Sequence, residues 1–162
     1  MTFEDLAKLP SRTAFVTDVM TPLGAFVDEL ADLEARITAL GLADSPWSRE
    51  LIDGFAVTAA RARFVHASYQ AALAHLDGGD PAAAGARAEA ALADGHAVVQ
   101  RRHASPHYTG PRDHLFGQPE NATVYGFGYL SQADTLCYWE RELVQLDNLV
   151  RGISQPVPSC YL

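Results

Sequence analysis

The chain has little cysteine, almost no lysine and no long apolar run. Two cysteines, Cys137 and Cys160, are too few for a disulfide-stapled scaffold or an all-cysteine zinc site. Lys8 is the single lysine among twelve bases, and twenty acids leave a net charge of −8. That balance excludes a surface built to follow nucleic-acid phosphates. No stretch reaches the ~18 uninterrupted apolar residues of a membrane span. Residues 1–8 are acidic, with no apolar run of signal-peptide length. These absences lead us to expect a cytoplasmic protein with reduced thiols and neither a membrane nor a nucleic-acid partner. Glycine-rich phosphate loops, Cys-x-x-Cys, His-Glu-x-x-His and nucleophile-elbow patterns are also missing, which removes the commonest sequence-readable chemistries.

Apolar residues make up 48% of the 162, enough to build one core, so a single domain over 1–162 is expected. Four segments carry helical periodicity. In 13–40, Val16, Val19, Leu23, Phe26, Leu30, Leu33, Ile37 and Leu40 recur every three or four residues. Pro22 predicts a kink or break near Thr21, and Gly41 a C-cap. Ser45-Pro46 opens a second helix to about 76, striped by Leu51, Phe55, Ala59, Ala62, His66, Tyr69, Leu73 and Leu76. Asp80-Pro81 opens a third, alanine-rich helix to about 104, striped by Gly85, Glu89, Leu92, His96, Val99 and His103. A fourth spans about 122–150, firmly helical only after Ser131, with Leu136, Trp139, Leu143, Leu146 and Val150 on its stripe. Short connections at 41–45 and 77–80 suit antiparallel neighbours. The expectation is an all-α, up-down-up-down four-helix bundle with one long loop at about 105–120 and an extended C-terminal tail. Polar residues and prolines in the stripes argue against a long coiled coil.

Some stripe positions are polar, and burying such groups costs several kcal/mol unless they find partners. The short 77–80 turn puts His66 and His96 within about 6 Å of one level on adjacent helices, at 1.5 Å rise per residue. If the last helix runs antiparallel to the third, Asp134 falls near His96 and Glu140 near Glu89. His66, Glu89, His96 and Asp134 are candidate ligands for Fe, Mn or Zn, since imidazole with carboxylate suits those metals. The paired Glu-x-x-His spacing of di-iron bundles is absent, however, and a hydrogen-bonded structural cluster accounts for the same residues.

The denser constellation lies between 101 and 129. Arg101, His107, Tyr108, Arg112, Asn121, Tyr125 and Tyr129, joined by Trp139 from the last helix, combine guanidinium forks with aromatic faces. Long irregular loops of this composition are often functional. The expected function is binding of a small, anionic or ring-bearing ligand where this loop meets the last helix. Any reaction on it would use His103, His107 or Glu140 as acid or base. Trp139-Glu140-Arg141-Glu142 also reads as an ion-pair motif with Arg101 or Arg112 as partner. A metal-binding oxidoreductase or carrier is the first alternative. The second is a structural interaction module that meets a protein partner or forms a homo-oligomer, because aromatics and arginine also mark interfaces.

Overall fold

The computed structural model describes residues 2–104 and 136–158, and the side chains of all of these except 102–104. It is all-α, with no strand among the described residues. The helices are α1 (Phe3–Ala7), α2 (Thr13–Phe15), α3 (Thr21–Ala39), α4 (Pro46–Leu76), α5 (Ala82–Ala104) and α6 (Cys137–Arg151). No described helix is long and apolar enough to cross a membrane.

Pro22 does not break the first long helix. A π-helical turn over Val16–Met20 joins α2 to α3, and every residue around the junction keeps right-handed helical angles. Proline offers no N–H, so the ladder must widen at this point. Thr21 closes it by donating both its N–H and its hydroxyl to the Val16 carbonyl, five residues back. Ser45 caps α4 by accepting from the Ser48 N–H, with Pro46 in the first turn. Gly41 and Gly152 take positive φ of 54° and 60°, which ends α3 and α6 where an L side chain would be strained. Beyond Gly152 the tail is irregular to 158, as expected. It is tied back by a reciprocal pair in which Asn148 Nδ2 donates to the Gln155 carbonyl at 3.0 Å and Gln155 N donates to Asn148 Oδ1 at 2.8 Å.

Successive long helices alternate in direction. Leu30 packs with Ala59, Asp53 bonds Arg101, and Gly95 faces Trp139. The four-cornered bundle, however, gives way to a layout centred on α4. α5 and α6 pack on one side of α4 and α3 on the other, so α3 rests chiefly on α4. The core follows from this. Ala60, Phe64, Ala67, Ala88, Ala91, Leu92, Val99, Leu136 and Trp139 form one cluster where α4, α5 and α6 meet. Alanines on facing positions of α4 and α5 let the two backbones approach closely. Leu92 and Val99 of the expected α5 stripe are thus buried, but the rest of the core face is Ala84, Ala88, Ala91 and Gly95, and Glu89 is exposed. A second cluster joins α1 to the body, with Phe3 and Phe15 each about 5 Å from the Tyr69 ring.

Cys137 is disulfide-bonded, which corrects the expectation of a reduced thiol. The chain has one other cysteine, Cys160, outside the described residues. A count of two cysteines does not decide between the two redox states; the geometry that brings one sulfur within reach of another does.

Candidate functional site

The start of α6 brings two ion pairs and a buried tryptophan together. Trp139 is buried over Gly95 and stacks on Phe64, with ring centroids 5.7 Å apart. The Arg61 guanidinium lies 5.5 Å from the Phe64 centroid and 5.3 Å from that of Trp139. It grips Glu142 through both oxygens at 2.6 and 2.8 Å. A planar fork both stacks on rings and matches a carboxylate, which suits arginine to this position. The Trp139–Glu142 stretch does form an ion pair, with Arg61 as partner, while Arg101 pairs with Asp53 and Arg112 lies outside the described residues. One turn away, His96 Nε2 lies 3.1 Å from Glu140 Oε1, and both side chains are partly open to solvent.

Arg101 and Trp139 were expected to bind ligand, and both are engaged within the protein. Arg101 donates to Asp53 Oδ1 from Nε at 3.1 Å and from an Nη at 2.6 Å. Asp53 is buried, so this contact supplies its counter-charge. Trp139 fills the core. His103's side chain, and all of His107, Tyr108, Arg112, Asn121, Tyr125, Tyr129 and Asp134, lie outside the described residues.

The proposed metal ligands do not converge among the described residues. His66 points at α3, with Nε2 3.3 Å from where a Cβ on Gly24 would stand. Burial holds its pKa below the ordinary 6.5, the Arg87 charge adds to this, and Asp28 opposes it. His96 turns instead to Glu140 on α6. Exposed Glu89 sits at the rim of a surface hollow beside Gly85 and Leu143. Among the described residues no group of three His, Cys, Asp or Glu is placed to hold a metal ion. Height alone does not set direction: α4 is flanked by both α3 and α5, and His66 points at α3 while His96 turns to α6.

The most prominent exposed feature is apolar, and sequence reasoning missed it. Leu42, Trp47, Leu51 and Phe55 line an open groove of about 660 Å³ at the end of the α3–α4 hairpin. Trp47 is 85% exposed and Leu51, expected in the core, is 57% exposed. The opposite flank of the hairpin carries Glu34, Thr38, Ile52 and Arg63 and faces α5, where Arg63 reaches both Glu34 and Asp94 at 3.3 Å. The available signal was a tryptophan in the first turn of a helix, where nothing in the periodicity asks for one.

Searches against protein-family models, curated proteins and solved structures found no match to this chain.

Proposed function

We propose that this protein is a helical interaction module that docks a protein partner on the apolar flank of the α3–α4 hairpin. One observation carries the reading: a nearly fully exposed Trp47 flanked by Leu42 and Leu51 in an open apolar groove. Single exposed apolar residues are ordinary, but clustered ones with a tryptophan at the centre mark contact sites. The test is site-specific photo-crosslinking in the cell of origin, with the reactive group at position 47. A discrete adduct is expected from position 47 and none from position 80, at the far end of α4. Equal labelling at both positions, or no adduct at 47, refutes the reading.

A second reading keeps the ligand site between the 101–129 loop and the last helix. The His96–Glu140 contact favours it, because an imidazole oriented by a carboxylate can carry a proton. Under either reading we place the protein in the cytoplasm.

A further inference from the structure

Resting on the interaction-module reading, we propose that the partner is a second copy of this chain. Two hairpins would pack through α3 in antiparallel order about a two-fold axis near Leu33.

From Val16 to Leu40 the apolar residues of the first long helix step by three and four in strict alternation. That spacing builds a two-sided seam, of which a single neighbour covers only part. Leu30 is buried on α4, and Leu23 and Ile37 are half-buried. The alternate members Phe26, Leu33 and Leu40 are 45%, 39% and 68% exposed. At seven-residue spacing these three share one flank of α3. It is the flank away from α5, because Glu34 and Thr38 occupy the other. α4 fills one half of the seam and the other half is open.

Register and charge select the antiparallel order. Phe26 and Leu40 lie at equal distances on either side of Leu33, about 10 Å at 1.5 Å per residue. A two-fold axis through Leu33 sets each Phe26 against Leu40 of the second copy. The same operation brings Glu29 opposite Arg36, both exposed on this flank. Among the described residues Arg36 otherwise has a loose contact to Asp32 at 3.9 Å. A parallel order would match equal levels and set Glu29 against Glu29 and Arg36 against Arg36, with no attractive pair to replace them.

The groove residues extend the same face. His66 lies beside Gly24 and Ala59 beside Leu30, a register that brackets Leu40 between Trp47 and Leu51 across the hairpin. With about 200 Å² for a large apolar side chain, the exposed parts of Phe26, Leu33, Leu40, Leu42, Trp47 and Leu51 come to roughly 650 Å². A standard interface buries about 800 Å² per partner, of which somewhat over half is apolar. The open face is therefore large enough to hold a stable dimer.

The experiment is sedimentation equilibrium of the full chain across the micromolar range, with iodide quenching of tryptophan emission. Iodide reaches exposed Trp47 and is excluded from buried Trp139. We expect a dimer whose formation protects Trp47. Glu29→Arg or Arg36→Glu alone should weaken it about tenfold, because each turns two attractive contacts into repulsive ones. The double variant should restore it. Leu33→Arg should give a monomer with unchanged helical circular dichroism. A monomer with quenchable Trp47 at all concentrations overturns the second copy and leaves the foreign-partner reading standing. A monomer with Trp47 already protected shows that another part of the same chain covers the face, and overturns both. A dimer indifferent to Leu33→Arg and to the charge exchange uses a different surface, and also overturns both.

Discussion

Replacing Gly95 with alanine sets two effects of known size against each other. Glycine inside a helix costs about 0.8–1 kcal/mol relative to alanine. On that ground alone the change stabilises, and at Gly85 it should. Gly85 lies in the same helix, and a Cβ there meets nothing within 4 Å. At Gly95 a Cβ would stand 2.8 Å from Trp139 Cζ3 and 3.3 Å from Cη2. The indole ring cannot yield freely, since it stacks on Phe64 and lies under Arg61. Overpacking a closed core costs about 1–3 kcal/mol. Gly95→Ala should therefore range from neutral to about 2 kcal/mol destabilising, while Gly85→Ala gains up to about 1 kcal/mol. For a chain of this length 1 kcal/mol moves Tm by about 2–4 °C, so the two variants, about 1–3 kcal/mol apart, should differ by roughly 2–12 °C. Thermal melts by circular dichroism read this difference, and near-ultraviolet dichroism reports the Trp139 environment. Trp139→Phe in the Gly95→Ala background should recover part of the loss. If Gly95→Ala stabilises as much as Gly85→Ala, Trp139 does not pack on this face of α5.

Two further predictions concern the polar contacts. Arg101→Ala leaves buried Asp53 without its counter-charge and should cost about 1–3 kcal/mol by chemical denaturation, at the lower end because Arg101 is itself half exposed; an unchanged denaturation midpoint would show that Asp53 draws on another partner. His66 binds a proton less readily in the folded state than at its ordinary pKa of 6.5, so its contribution is present above about pH 6.5 and is lost as pH falls below it. The stability of the native chain relative to His66→Gln should therefore fall between pH 7.5 and 5.5, and a difference that stays constant or grows on acidification refutes the assignment.

The helices of this protein were largely legible from local signals. Ser45-Pro46 and Gly41 act within one turn of themselves, so their effects could be read without knowing what lies across from them. Pro22 shows where a local rule needs its neighbours: the chain answers the missing donor with a π-turn and continues. The site was less legible. His66 and His96 are expected near one level, yet His66 faces α3, His96 turns to Glu140 on α6 and Glu89 is exposed. Arg61 had no role in the sequence reading, because its partner Glu142 lies 81 residues away.

The sequence by itself determined the long helices and that they run antiparallel, because caps and short turns are local constraints; the short α1 and the π-turn at Val16–Met20 were not read from it. Only the tertiary structure decided which face of each helix is core. α4 is flanked on two sides, so its single apparent stripe divides between α3 and the α5–α6 layer. α5 packs through alanine, whose small side chains carry little weight in a hydrophobic pattern yet set the closest approach of two backbones. The same arrangement leaves one flank of α3 and the first turns of α4 open. Periodicity marks a residue as apolar, and whether a neighbour is there to cover it depends on the packing of the whole chain.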